Sequence, residues 1–260
     1  MDGHRAQTGA CKGPVTKRIP PLDPQLLLRA YSVGVFPMAD SADAPSVYWV
    51  EPKERAVLPL DGFHLSRSLK KTLLSERFKT TANQAFGEIV ELCAESVGNR
   101  PETWINHQIA HAVDELHTAG HAHSIETWLD GKLVGGLYGI SLGNAFFGES
   151  MVSRATDASK VALAHLVARL KIGGFRLLDC QFMTDHLHSL GAVEISRDAY
   201  MALLGAAIGG TGSGSSAGLS AGADFRAFDF PPSPAPSPES TTVFGPTSGW
   251  RIVQALTHTS

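Results

Sequence analysis

Between residues 121 and 182 the chain alternates in a way that leaves few folds open. Residues 123–129 run into Asp130-Gly131 and residues 132–141 run back out. A two-residue Asp-Gly loop between alternating strands is a strong hairpin signal, because both positions accept positive φ. Leu142-Gly143-Asn144 turns again and residues 145–152 make a third strand, so the three form an antiparallel meander. Asp157 is the expected N-cap of a helix over 158–171 that closes at Gly173-Gly174, and residues 175–182 read as a fourth, buried strand. Glycines inside these strands leave room for something to approach the backbone closely. Two acids, Glu149 and Asp179, end apolar runs, where a fold displays them.

The flanking stretches supply helices and edge strands. Asp23 caps a helix with Pro24 at its first position and Leu26, Leu27, Ala30 and Tyr31 on its apolar face, and Gly34 ends it. A strand ends at Tyr48-Trp49-Val50, Pro52 breaks it, and Arg55-Ala56-Val57-Leu58 resumes it. Residues 64–74 read as a basic amphipathic helix and 78–81 as a strand. Asn83 caps a helix that buries Phe86, Ile89, Val90 and Cys93, and a helix over 106–118 stops at Gly120. A last helix surrounds Tyr200. The expected organisation is an unpatterned leader over 1–20, a small N-terminal domain over 21–62 and a catalytic domain over 63–204. A flexible Gly/Ser/Pro-rich segment over 205–240 and a tail over 241–260 with the periodicity of a short helix follow.

A formal charge of −3 excludes a general polyanion binder, so any nucleic-acid contact must come from a local patch. The densest basic stretch is Arg67, Lys70, Lys71, Arg77 and Lys79. Three scattered cysteines without CxxC spacing fit neither a disulfide framework nor a cysteine zinc site and suit a reducing cytoplasm. His107, His111, His117, His121 and His123 cluster, but no HExxH surrounds them and no third ligand stands out. They are expected at surface helix and turn positions, with no metal. No run of about 18 apolar residues offers a membrane span.

The pattern gives an α+β fold with a mixed sheet. By analogy, the order meander, helix, return strand, helix is that of the N-acetyltransferase (GNAT) superfamily. Coenzyme-A users of that superfamily bind pyrophosphate on a Gly-rich loop at a helix N-terminus. Here Ser153-Arg154-Ala155-Thr156-Asp157-Ala158 has no glycine and puts a carboxylate at the helix start. An anion is repelled there, so no such cofactor is expected.

Several motifs resemble the bacterial leucyl/phenylalanyl-tRNA–protein transferases. They are Tyr31-Ser32-Val33-Gly34-Val35-Phe36-Pro37, Arg55-Ala56-Val57-Leu58, Phe63-His64-Leu65-Ser66-Arg67-Ser68, Thr103-Trp104-Ile105, Gly120-His121-Ala122-His123-Ser124-Ile125-Glu126, Leu133-Val134-Gly135-Gly136-Leu137-Tyr138-Gly139, Phe147-Gly148-Glu149-Ser150-Met151 and Asp179-Cys180-Gln181. The resemblance runs in register from about residue 22 to 204. It implies a small N-terminal domain on a GNAT-like C-terminal domain, acting as a cytoplasmic monomer without cofactor. The implied reaction moves Leu or Phe, with Met a further candidate, from aminoacyl-tRNA to the α-amino group of a protein beginning with Lys or Arg. The product is marked for N-end rule degradation.

The same resemblance implies roles. Asp179 and Gln181 match the catalytic pair, in which the carboxylate polarises the glutamine toward the attacking amine. A carboxamide is a very weak base, so orienting the amine suits Gln181 better. Glu149 with Asp179 implies a negative acceptor pocket. Leu137, Phe146, Met151 and Leu178, with Leu163, Leu166 and Leu170 on one helix face, imply the aminoacyl pocket. Trp49 and Trp104 match residues near the terminal adenosine, and the basic stretch is read as the tRNA backbone patch. Each has a plainer reading: an acid paired with a nearby Arg, core leucines and tryptophans, a solvated helix face. Thr184 stands where the family often has asparagine, and Leu137 where methionine is common. A related transferase acting on a cell-wall peptide precursor and a catalytically silent tRNA-binding protein are the competing readings.

Overall fold

The computed structural model describes residues 21–95, 103–209, 222–230 and 246–257. Helix α1 (Pro24–Ser32) begins where the Asp23 carboxylate accepts the Gln25 N–H, with proline at the first turn. Strands β1 (Phe36–Met38) and β2 (Tyr48–Val50) form a two-stranded antiparallel ribbon. After Pro52, β3 (Glu54–Val57) joins a different sheet, so the proline separates two sheets and does not merely interrupt one strand. Next come α2 (Arg67–Leu74), capped by Ser66, β4 (Lys79–Ala82), α3 (Phe86–Ala94) and α4 (His107–Thr118), capped by Asn106. The meander is β5 (Ala122–Leu129), β6 (Lys132–Leu142) and β7 (Ala145–Ser153). Asp130 and Gly131 turn the first hairpin at φ 51° and 75°. Then follow α5 (Ala158–Ile172), β8 (Leu177–Asp179), α6 (Asp185–Ser189), β9 (Val193–Ser196), α7 (Arg197–Gly209) and α8 (Gly249–Thr257).

The main sheet has seven strands in the order β4-β5-β6-β7-β8-β3-β9, and β7–β8 is its parallel pair. The fold is therefore α+β with a mixed sheet. One face buries Leu27, Tyr31, Ile89, Ile109 and Phe147 under α1, α3, α4 and α7. The other buries Ile125, Phe146 and Leu178 under α5, which α2 and α8 cover in turn. A helix between a sheet and other helices needs apolar side chains all round, and α5 is buried at almost every position.

Four local expectations are corrected. Asn83 does not cap α3. It sits at φ 59°, which asparagine tolerates, and accepts the Ser124 N–H at 3.0 Å, while the α3 start leans on Glu126 through the Ala85 N–H at 3.4 Å. Asp157 stands at the N-cap of α5, but its carboxylate meets Lys160 at 3.0 Å and caps no backbone N–H. The strand expected over 175–182 is only Leu177–Asp179, because Gln181 turns out of it at φ 56°. His123 is buried, stacked on Phe225 with ring centroids 4.0 Å apart. Burial first, with His117 and Arg169 adding to it, lowers its pKa to about 3. His107 and His111 are exposed as expected. Among the described residues no group of three His, Cys, Asp or Glu could hold a metal ion, and no helix is long and apolar enough to cross a membrane.

The segment expected to be flexible is partly ordered. Helix α7 runs to Gly209, and residues 222–230 strap across α5. There the buried Arg169 donates to both Asp229 oxygens, at 2.6 and 3.0 Å, and to the Phe225 carbonyl at 2.8 Å. The leader over 1–20 and the remainder of the Gly/Ser/Pro stretch lie outside the described residues. Breaking a fully buried ion pair costs about 3–5 kcal/mol, and water reaches the Asp229 side of this one. Asp229→Asn is therefore expected to cost about 2 kcal/mol, read as a lower urea midpoint at unchanged slope.

Candidate active site

The site exists because two parallel strands part. β7 and β8 pair over Ala145↔Leu177, Phe146↔Leu178 and Phe147↔Asp179, after which β8 ends and β7 continues alone on that flank. On its other flank β7 slips register: Gly139 faces Gly148 but Tyr138 faces Ser150, which leaves Glu149 as the extra residue of a β-bulge. A bulge re-aims the side chain it carries. Gly139 permits the close approach, since a Cβ there would lie 2.3 Å from the Phe147 carbonyl oxygen and 2.4 Å from the Phe146 ring.

The gap opens into a cavity of about 430 Å³. Leu137, Met151, Leu163, Leu166, Leu178 and Leu187 give it apolar walls, Trp104 and Phe182 also line it, and Glu149, Ser150, Gln181 and Thr184 supply polar groups. Five of the seven expected pocket residues therefore line it. Phe146 and Leu170 do not. Phe146 packs among Phe175, Phe225 and His123 in the core behind the cavity. Leu170 lies about 6 Å further along α5 than Leu166, past the cavity floor, and is fully buried. Of the two tryptophans, Trp104 lines the cavity, while Trp49 is 40% exposed on β2 and away from its lining. Arg67, Lys70, Lys71, Arg77 and Lys79 are all exposed on α2, the following turn and β4.

Asp179 is fully buried and does not line the cavity. Arg55, itself buried, grips it through Nε at 2.9 Å to Oδ1 and 3.1 Å to Oδ2, and through Nη2 at 2.6 Å to Oδ2. The Tyr200 hydroxyl donates to Oδ2 at 2.8 Å, and the backbone N–H of Gln181 donates to Oδ1 at 2.8 Å. Burial lowers the Arg55 pKa, but the hydrogen bond to Asp179, the Asp179 charge, and Tyr200 and Glu149 together hold it above the ordinary value. Burial and the neighbouring carboxylate push the Tyr200 phenol up. The expected two-acid pocket is thus corrected: Asp179 is sealed against a guanidinium, and only Glu149 faces the cavity.

Among the described residues, Glu149 has no such cation in contact. Gln181 Nε2 donates to its Oε1 at 3.2 Å, and the Tyr31 hydroxyl hydrogen-bonds it from α1. Burial pushes its carboxyl up to about 8; the Tyr31 hydrogen bond works against this, Asp179 with it, and Arg55 against it. The carboxylate beside the Gln181 carboxamide is therefore Glu149, and Asp179 touches that glutamine only through its backbone. Thr184 caps α6, accepting the Leu187 N–H at 3.2 Å. Sequence reasoning assigned no role to Arg55, Tyr200 or Tyr31. The available signal was an arginine placed directly before an apolar run, Ala56-Val57-Leu58.

A family model described as leucyl/phenylalanyl-tRNA protein transferase matches residues 57–205, and one described as the N-terminal domain of that protein matches residues 21–53. The leucyl/phenylalanyl-tRNA–protein transferase of Rhizorhabdus wittichii is 61% identical over 249 residues, covering 92% of this chain and 99% of its own. Its namesake in Zymomonas mobilis is 60% identical over 187 residues, 72% of this chain and 70% of its own. That of Paramagnetospirillum magneticum is 58% identical over 191 residues, 74% of this chain and 91% of its own.

The raised Glu149 carboxyl has a measurable consequence. Between the ordinary glutamate value of 4.5 and about 8, the folded chain holds a proton that the unfolded chain has released. Stability contributed by this group therefore falls as pH rises through that window. Glu149→Gln removes the slope. The variant is expected to gain stability relative to the unchanged protein as urea unfolding is repeated from pH 4.5 toward pH 8.

Proposed function

Because this chain belongs to the leucyl/phenylalanyl-tRNA–protein transferase family, we propose that it moves leucine or phenylalanine, with methionine a further donor, from aminoacyl-tRNA to the α-amino group of proteins beginning with Lys or Arg. It acts in the cytoplasm, as a monomer and without a cofactor, and its products enter N-end rule degradation. The observation that carries this reading is the apolar cavity against α5, opening where β7 and β8 part, with Gln181 and Glu149 in its lining.

In this reading Leu137, Met151, Leu163, Leu166 and Leu178 receive the donor side chain. The ester sits at the mouth, with Trp104 against the terminal adenosine, and Trp49 is a second, more distant contact. Stacking a base on an aromatic ring contributes about 1–3 kcal/mol whatever the base. The exposed cations over 67–79 follow the tRNA backbone. The incoming amine meets the Gln181 carboxamide oxygen, which is turned away from Glu149 because the amide nitrogen donates to that carboxyl. A cationic Lys or Arg terminus then favours the carboxylate form of Glu149 that burial alone disfavours. Residues 63–204, joined by β3, act as an N-acetyltransferase-like catalytic domain, and the rest of 21–62 as its small N-terminal domain.

The chemistry is aminolysis. The amine nitrogen bonds to the ester carbonyl carbon, the bond from that carbon to the ribose oxygen breaks, and the proton lost by nitrogen ends on the leaving oxygen, relayed by the neighbouring 2′-hydroxyl. An aminoacyl ester is already activated, so positioning and stabilisation of the oxyanion are what the protein must supply. An apolar pocket discriminates by about 1–3 kcal/mol per methylene, which suits acceptance of both leucine and phenylalanine.

Labelled leucine on tRNA is expected to reach a peptide beginning with Arg and not one beginning with Ala; equal transfer to both would sink the acceptor assignment. Leu166→Phe fills part of the cavity. It is expected to reduce phenylalanine transfer about tenfold more than leucine transfer, measured as the ratio of the two kcat/KM values.

A further inference from the structure

We propose that Arg55 is a positioning residue for the transfer reaction: it fixes Asp179, and Asp179 fixes Gln181 through the backbone. The carboxylate thus serves geometry and does not polarise the glutamine. The inference rests on the reading in which Gln181 meets the acceptor amine.

Neither Asp179 oxygen is free to act on the Gln181 carboxamide. Oδ1 accepts Arg55 Nε and the Gln181 backbone N–H, at 2.9 and 2.8 Å. Oδ2 accepts Arg55 Nη2 and the Tyr200 hydroxyl, at 2.6 and 2.8 Å. The carboxamide nitrogen points elsewhere, to Glu149. Asp179 is also sealed from solvent and from the cavity, so no substrate atom reaches it.

What needs holding is the Gln181 backbone. Its φ of 56° lies in the left-handed region, which a side chain with a Cβ occupies only when its surroundings compel it. Both of its peptide groups are clamped. The N–H goes to Asp179, and the carbonyl accepts the Ala56 N–H at 3.1 Å, while the Cys180 N–H returns to the Ala56 carbonyl at 2.9 Å. Arg55 and Ala56 are adjacent on β3, so one short strand grips Gln181 twice, directly through Ala56 and through the Arg55–Asp179 pair. The guanidinium is itself immobilised. It lies between the Phe36 and Tyr200 rings, 4.6 Å from each centroid, and donates to the Gly34 carbonyl at 3.1 Å.

The test is a double-mutant cycle on the full chain, assayed by transfer of labelled leucine to the Arg peptide. Arg55→Met leaves a buried carboxylate unpaired and Asp179→Asn leaves a buried guanidinium unpaired. Each is expected to lower kcat about 100-fold, the scale of a small misplacement at a reacting centre, with KM for charged tRNA nearly unchanged. The double variant removes both charges and keeps an amide oxygen that accepts the Gln181 N–H. It is expected to recover to within about tenfold of the unchanged protein. A double variant as inactive as Asp179→Asn, with its melting curve and tRNA binding intact, overturns the proposal, because the charge itself would then be required.

Where the Met or Asn variants fail to fold, Arg55→Lys decides. It keeps the positive charge but loses the two-nitrogen grip. It is expected to lower kcat about tenfold, and kcat equal to that of the unchanged protein overturns the proposal. Failure of the underlying reaction looks different: the unchanged protein would then transfer nothing to the Arg peptide.

Discussion

The structure depends on a parallel pairing that stops after three residues. Backbone N–H and C=O groups buried away from water must find partners, so a strand cannot simply leave its neighbour inside a sheet. Here two devices satisfy the parted strands. β7 takes up slack as a bulge against β6, and the chain beyond β8 hands its carbonyl to Ala56 on β3. The space left between them is the cavity. Because α5 makes the connection from β7 to β8, the helix that links the parted strands also supplies the cavity wall through Leu163 and Leu166.

Two carboxylates at this junction are given different partners: Asp179 meets a guanidinium, a phenol and a backbone N–H. Removing a carboxylate and a guanidinium from water costs several kcal/mol each, and a well-packed apolar pair often does as well for stability. What an apolar pair cannot do is accept the Gln181 N–H and hold that residue at positive φ. Among the described residues, Glu149 is offered only a phenol and an amide at contact distance, so burial dominates and its proton is retained to higher pH. The difference in partners leaves Asp179 to hold geometry, while Glu149 is the acid that charge brought by a ligand can act on.

Features set by neighbouring residues were legible in the sequence. The Asp130-Gly131 turn, the Asp23 cap and the Gly173-Gly174 stop all formed where local chemistry placed them. Features set by distant partners were not. Asn83 carries both a helix-capping side chain and a tolerance of positive φ, and the second won because Ser124 on a neighbouring strand needed an acceptor. Arg55 meets Asp179 across 124 positions and Arg169 meets Asp229 across 60, and no periodicity encodes either. Among the leucines, spacing put Leu163, Leu166 and Leu170 on one face, but where the cavity ends along that face depends on where β7 and β8 part.

In the proposed function, that same wall makes donor selection depend on residues beyond the family match at 57–205. Leu163 and Leu166 can present a fixed surface only if the back of α5 is fixed too. The back is held by the Arg169–Asp229 pair, by Phe225 and Phe228, and by α8. The start of α8 is seated closely: a Cβ on Gly249 would lie 1.9 Å from the Leu73 carbonyl oxygen, and Thr247 donates to the edge strand β4 at Thr80. This contact also covers part of a sheet edge that would otherwise be open to pairing. The C-terminal segments thus reach the chemistry only through packing. Their loosening should blur the discrimination among donor side chains, where each methylene counts, before it disturbs the clamp on Gln181, which lies on the far side of β8.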